Sequence, residues 1–305
     1  MQRSSKTSAC AHTGRSSIDV GEAQPFYWHL FLLLTILKFR RLPPRGTFNF
    51  INFCASCEKM YYCKVKSIET EDPVYQKLPG GQDYFFFAEA RVAKDYVRSG
   101  LYEGSLIEWV LQNFVRPDKA CIDIGAHMGH YAVNLAHKAK RVYAFECSPK
   151  SFNYLCANIA LQDLHYKVDK FNVALSNREG VAKYFIRDPL DGGSNGIAQY
   201  SDDTTGDTMA VEVPTATLDS FRLQNVGFLK IDVENHEKEV LQGAVQTLQD
   251  NGYPPFIFES WSPNGDASRV DKAKVRGELF SFIESLGYKI HPIAGWPEEF
   301  LATHP

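Results

Sequence analysis

Three short segments place charged or polar residues where an apolar pattern gives no packing reason for them. In Phe228-Leu-Lys-Ile-Asp-Val-Glu-Asn-His-Glu237, Lys230 and Asp232 alternate with Leu229 and Ile231, and Glu234, His236 and Glu237 follow at once. Burying charge is costly unless the charge is paired or used. A surface loop explains one or two such charges, but not a pair alternating inside an apolar strand. Asp232 and His236 are therefore candidates for proton transfer, with Glu234 and Glu259 as further acidic candidates. The oxygens of Asp232, Glu234 and Glu259 would also suit Mg²⁺, although the chemistry needs no metal and none is expected.

The second segment is Ala120-Cys-Ile-Asp-Ile-Gly-Ala-His-Met-Gly-His-Tyr131. Cys121, Ile122 and Ile124 suit a strand buried on both faces, and Tyr131, Ala132, Leu135 and Ala136 continue at helical spacing. A dinucleotide site needs Gly-x-Gly-x-x-Gly, so that a pyrophosphate can rest on the helix N-terminus. His127 stands where the middle glycine should be. S-adenosylmethionine carries no phosphate, and Asp123-x-Gly125-x-x-x-Gly129 is enough for it. Taken alone, the glycine pair is explained as well by packing of the strand on the helix. The third segment, Val142-Tyr-Ala-Phe-Glu146, ends a strand on a carboxylate about 21 residues after Gly125, where ribose hydroxyls are bound in such folds. Together the two segments describe an adenosine pocket more firmly than they describe methyl transfer.

These residues need elements to hold them. Ser105 with Glu108 reads as a capping box ahead of an amphipathic helix. Strand and helix then alternate: Ala120 to Ile124, Gly129 to Lys138, Arg141 to Phe145, Pro149 to Leu161, and Phe171 to Leu175. Alternation of this kind predicts a parallel sheet, with ligand beyond the carboxyl ends of the strands where their order reverses. Val181 to Ile186 and Met209 to Val213 read as an inserted antiparallel pair, and Asp191-Gly-Gly-Ser-Asn-Gly196 between them as a lid or a plain solvent loop. Gly227 to Val233 and Pro254 to Phe258 are further core strands. Glu237 to Leu248 and Asp271 to Leu286 read as helices, and Gly287 to Pro292 and Glu299 to Ala302 as the last strands.

The 305 residues, with 44% hydrophobic and 23% charged, have the composition of a globular protein with a sizeable core. A net charge of −3, with both signs mixed along the chain, gives no cationic surface for nucleic acid. Among the seven cysteines, Cys121, Cys147 and Cys156 fall in apolar patterns and read as reduced core thiols. Cys54, Cys57 and Cys63 lack the second ligand pair of a zinc site. Residues 1 to 80 are read as a poorly ordered extension and 81 to 305 as the catalytic domain, with the boundary at Pro79-Gly-Gly81. The apolar run Phe26 to Leu37 is about half of the roughly 20 residues that span a bilayer. It reads as a short membrane anchor on a cytoplasmic protein or as a peripheral extension.

From about residue 84 onward the chain resembles the FkbM-type family of class I S-adenosylmethionine-dependent methyltransferases. Six blocks in order carry the resemblance: Ile122-Asp-Ile-Gly-Ala-His-Met-Gly129, Tyr143-Ala-Phe-Glu146, Val173-Ala-Leu-Ser176, Ala216-Thr-Leu-Asp219, Leu229 to Glu237 with Leu241-Gln-Gly-Ala244, and Pro255-Phe-Ile-Phe-Glu259. The resemblance implies a Rossmann-like α/β fold: a mostly parallel seven-stranded sheet with one antiparallel strand and helices on both faces. It also implies methyl transfer from S-adenosyl-L-methionine to a hydroxyl of a sugar, glycan or secondary metabolite. The expected cofactor contacts are Asp123, Gly125, Ala126, His127, Gly129, Glu146 and Ala174; the expected catalytic residues are Asp232, His236, Glu234 and Glu259. The chain departs from the family pattern at His127, where Asn is common, and at Asn235, where Gly is common. The alternatives are an NAD-linked oxidoreductase, opposed by the missing glycine, and a non-catalytic protein that binds an adenosine cofactor.

Overall fold

The computed structural model describes residues 103–187, 195–197, 208–261 and 272–305, together with the backbone of four short strands between residues 49 and 85. The chain divides into two units, Met1–Glu69 and Thr70–Pro305. In the first, β1 (Asn49–Cys54) pairs antiparallel with β2 (Lys59–Lys64). In the second, β3 (Tyr75–Lys77) pairs antiparallel with β4 (Asp83–Phe85). The side chains of Cys54, Cys57 and Cys63 lie outside the described residues.

The rest of the second unit is built on β5 (Ala120–Ile124), β6 (Arg141–Phe145), β7 (Val168–Phe171), β11 (Val226–Ile231), β12 (Phe256–Glu259), β13 (Lys289–Ile293) and β14 (Trp296–Thr303). They form one seven-stranded sheet in the order β13-β14-β12-β11-β5-β6-β7. The pairings from β7 to β12 are parallel, and β14 runs antiparallel to both of its neighbours. The sheet of the class I methyltransferases is thus present, with one reversed strand.

Side chains alternate across this sheet, and each face has its own core. Cys121, Val142, Ala144, Phe228 and Ile257 pack with α1 (Gly104–Asn113), α2 (His130–Lys138) and α3 (Pro149–Leu161). Ile122, Ile124, Phe145, Leu229, Ile231, Phe256 and Phe258 pack on the opposite face with α4 (Glu237–Gln242), α5 (Val245–Asp250) and α6 (Lys272–Ser285). All of β5 is buried, which is why its sequence is nearly continuous in apolar residues. A separate three-stranded sheet joins β8 (Ala174–Leu175), β10 (Met209–Ala216) and β9 (Gly180–Ile186), with β9 and β10 antiparallel as expected. Cys121, Cys147 and Cys156 carry free thiols.

The structure corrects four expectations. The Ser105–Glu108 capping box does not form: α1 begins at Gly104, Glu103 occupies the cap position without a side-chain bond, and Ser105 lies inside the helix. The expected strand Phe171 to Leu175 is two strands in different sheets, β7 ending at Phe171 and β8 beginning at Ala174; between them the Asn172 side chain donates to the carbonyls of Glu146 and Cys147. The expected helix Glu237 to Leu248 breaks at Gly243–Ala244 into α4 and α5. There the Asp219 carboxylate accepts from the N–H groups of Gln246 and Thr247 and from the Thr247 hydroxyl, satisfying the first turn of α5 from outside the helix. Asp219, part of the Ala216-Thr-Leu-Asp219 block, is thus a structural cap. The expectation of a membrane anchor is corrected to this: among the described residues no helix is long and apolar enough to cross a membrane, and residues 26–37 lie outside them.

Replacing Asp219 by Ala should cost about 0.5–2 kcal/mol, the range for loss of a helix cap. Urea unfolding of the two chains measures it, and an unchanged midpoint would remove Asp219 from this role.

Candidate functional site

The carboxyl ends of β5 and β11 meet where the strand order reverses, and a cleft opens there. Its walls include Ile124, Gly125, His127, Phe145, Glu146, Cys147, Ala174, Tyr184, Asp232, Glu234, His236 and Glu259.

The turn after β5 is held by backbone bonds. The N–H groups of Gly125 and Ala126 both donate to the Phe145 carbonyl, at 3.0 and 2.9 Å, and the Gly129 N–H donates to the Ala126 carbonyl at 2.7 Å. Gly125, His127 and Gly129 have φ of 77°, 50° and 91°, in the left-handed region that glycine enters freely and that histidine tolerates better than most residues. Packing also demands both glycines: a Cβ on Gly125 would lie 1.7 Å from the Asp232 carbonyl oxygen, and one on Gly129 would lie 2.7 Å from Leu155.

Glu146 follows β6 and is buried. One carboxylate oxygen accepts the His127 N–H at 2.8 Å and the other the Ser148 N–H at 2.7 Å. Each oxygen retains a lone pair that can take a hydroxyl. Burial raises the Glu146 pKa to about 7 against the opposing pull of these two N–H groups. Beside it, Cys147, Ala174, Tyr184 and Ile197 belong to a small apolar cluster contributed largely by the three-stranded sheet. An apolar slot next to a carboxylate with spare acceptors suits the base and ribose of an adenosine-bearing cofactor.

At the other end, Glu234 and Asn235 take φ of 57° and 70° in succession. The resulting loop is fixed by Glu237, which is buried and accepts the N–H groups of Val233 and Asn235 at 3.1 and 3.3 Å. Asp232 and Glu234 are thereby turned into the cleft opposite Glu259, with one oxygen of each within 4.8 Å of the other two. Such hard oxygen donors could hold a divalent ion. Burial first, and the neighbouring carboxylates second, push the pKa values of Glu234 and Glu259 well above the usual range. Lys230, buried on the same strand as Asp232, donates to its Oδ2 at 2.8 Å. Burial opposes the Lys230 charge, but Asp232 and Asp123 outweigh it and raise the pKa. His236 is engaged on both sides: Nε2 lies 3.0 Å from Ser176 Oγ and Nδ1 3.6 Å from Glu239.

Of the residues expected from the sequence, Gly125, His127, Glu146, Ala174, Asp232, Glu234, His236 and Glu259 line one cleft. Asp123, Ala126 and Gly129 do not: Asp123 and Ala126 are buried behind the turn, and Gly129 faces Leu155. Sequence reasoning missed Glu103, His130 and Tyr184. Glu103 reaches the cleft from the start of α1 and accepts the Tyr131 hydroxyl at 2.9 Å; its left-handed φ of 51° carries no local sequence signal. The anticipated lid reaches the cleft at Asn195 and Gly196, where Asn195 accepts the Arg187 N–H; residues 191–194 lie outside the described residues.

The methyltransferase FkbM domain family matches residues 123–290. This chain belongs to that family. The match sets aside the oxidoreductase alternative. Methyltransferase sdnD of Sordaria araneosa is 25% identical over 214 residues, covering 59% of this chain and 78% of that protein. The 31-O-demethyl-FK506 methyltransferase FkbM of Streptomyces tacrolimicus is 25% identical over 254 residues, covering 70% and 90%. A solved FkbM methyltransferase from Methylobacillus flagellatus superposes with a TM-score of 0.44 at 16% identity, over 70% of this chain and 48% of that one. This chain thus spans about half the length of that solved relative.

Buried groups in and around the cleft set a pH dependence of stability. Glu146 and Glu237 are raised to about 7 and Glu299 to about 8, chiefly by burial. A carboxyl with a raised pKa binds its proton more tightly folded than unfolded, so its effect on stability is lost as pH rises through the folded pKa. Burial lowers His127 to about 4 and lowers His130 and His236 as well, which acts with the opposite sign below pH 6.5. Urea midpoints should therefore fall between pH 6.5 and 8.5, and Glu299→Gln should flatten the fall. A midpoint rising over that interval would contradict the buried-carboxyl account.

Proposed function

We propose that this methyltransferase uses S-adenosylmethionine to methylate a hydroxyl on a sugar, glycan or secondary metabolite. The observation that carries the reading is that Glu146 and Asp232, the carboxylates ending β6 and following β11, face the same cleft across the switch point. The Streptomyces relative, a 31-O-demethyl-FK506 methyltransferase, is named for a methyl group on oxygen, which supports a hydroxyl acceptor here.

Glu146 holds the ribose hydroxyls on its free lone pairs, and Cys147, Ala174 and Tyr184 enclose the base. Bound S-adenosylmethionine would supply an electrophilic methyl group for in-line transfer to the acceptor oxygen, with S-adenosylhomocysteine as the leaving group. The C–S bond breaks, the C–O bond forms, and the hydroxyl proton passes to a carboxylate oxygen of Asp232. Asp232 suits this role better than His236, because its side chain is 31% exposed while both His236 ring nitrogens face partners. Glu234 and Glu259, whose carboxyl pKa values are pushed up first by burial, face the same cleft and orient the acceptor through neighbouring oxygens. Positioning and a dry cleft supply much of the remaining rate.

Glu146→Ala should weaken S-adenosylhomocysteine binding about 10- to 100-fold, the equivalent of one or two hydrogen bonds to a charged group. Asp232→Asn should leave that affinity unchanged and slow label transfer from S-adenosylmethionine into cell extract by about 100-fold or more. Calorimetry and mass spectrometry of the labelled products read the two effects, and the labelled product names the acceptor. Wild-type cofactor binding without any label transfer would favour a non-catalytic binding protein.

A further inference from the structure

Lys230 is only 2% exposed, yet its ammonium touches residues at the ends of both β5 and β11. Nζ lies 2.8 Å from Asp232 Oδ2, 3.5 Å from the Gly125 carbonyl oxygen, and 5.0 Å from the centre of the Tyr131 ring. Lys230 is also the register partner of Asp123 on β5, whose carboxylate is fully buried. The ammonium therefore sits between a carboxylate behind it and a carboxylate in front of it, against the face of an aromatic ring.

A buried ion pair is a poor stabilising device, since a well-packed apolar residue often serves as well or better. What an ammonium adds is direction, through three donors and a compact charge. Here the donors point at Gly125, in the turn proposed to carry the cofactor, and at Asp232, the proposed base. These two groups are already in contact, with no room for a Cβ between Gly125 and the Asp232 carbonyl. A shift of the Asp232 backbone would thus be felt by the turn, and the reverse.

We propose that Lys230 is a positioning residue for methyl transfer, fixing the Asp232 carboxylate and the Gly125 carbonyl in one geometry across the switch point. The role rests on the reading of Asp232 as the base. Lys230 touches neither partner of the reaction and acts through Asp232.

The test compares Lys230→Met, Lys230→Arg, Asp232→Asn and the Lys230→Met/Asp232→Asn double variant. Labelled S-adenosylmethionine is varied against a fixed amount of cell extract to give apparent kcat and KM, and S-adenosylhomocysteine binding is measured by calorimetry as a check on folding. Lys230→Met should lower kcat about 100-fold, the scale of an ångström-sized misplacement, while KM for the cofactor stays near the wild-type value. Lys230→Arg, which keeps the cation, should recover part of the loss. The double variant should be no slower than Asp232→Asn by more than about twofold, because groups acting in series are not additive. If Lys230→Met leaves Asp123 uncompensated and unfolds the chain, Lys230→Met/Asp123→Asn removes the pair together and is read in the same way. Full activity of the lysine variants overturns the proposal, as does a multiplicative loss in the double variant or an active Asp232→Asn beside an inactive Lys230→Met. Label transfer by the wild-type chain is a separate readout, on which the methyl-transfer reading stands whatever Lys230 does.

Discussion

The contact between Gly125 and the Asp232 carbonyl oxygen is the constraint on which the cleft depends. Asp232 also donates its own N–H to the Ile124 carbonyl at 3.0 Å, so the ends of β5 and β11 are joined by a hydrogen bond and by the absence of a side chain. The strand order reverses at this pair, and the helices after β5 and β11 diverge to opposite faces of the sheet. A cleft between them is then unavoidable. Any residue larger than glycine at 125 would separate the two ends and undo the geometry of both halves.

Two carboxylates hold the loops that flank this contact. Glu146 gathers the N–H groups of His127 and Ser148, and Glu237 gathers those of Val233 and Asn235. Both are buried, and both use side-chain oxygens to satisfy backbone donors that strand pairing leaves unpaired. The left-handed residues in these loops explain the chain's departures from the family pattern. His127 at φ 50° replaces a common Asn, and Asn235 at φ 70° replaces a common Gly. Each is a residue type that enters the left-handed region more easily than most, so each suits the backbone of its turn.

Much of the architecture was legible in the sequence because the strands are buried on both faces and their apolar runs are bounded by charge or glycine. Ala120–Ile124 and Arg141–Phe145 have the boundaries that periodicity assigns. The errors occur where a distant residue intervenes. Glu237 to Leu248 is apolar at helical spacing throughout, yet Asp219 supplies a new helix start within it. The Ser105–Glu108 spacing is right for a capping box, but packing starts the helix one residue before Ser105.

For the site, the sequence by itself determined which residue types end the strands: a glycine turn after Asp123, Glu146 after β6, and the Asp232 to Glu237 cluster after β11. Local pattern can do so because each of these interrupts an apolar run at a predictable place. Only the tertiary structure decided which of them share a cleft, that Asp123 and Ala126 lie behind it, and that Glu103, Tyr184 and Asn195 join it. It alone placed the Lys230 ammonium between strands whose residues are more than a hundred positions apart. The physical reason is that side-chain reach and desolvation depend on neighbours brought together by sheet order, which spacing along the chain does not encode.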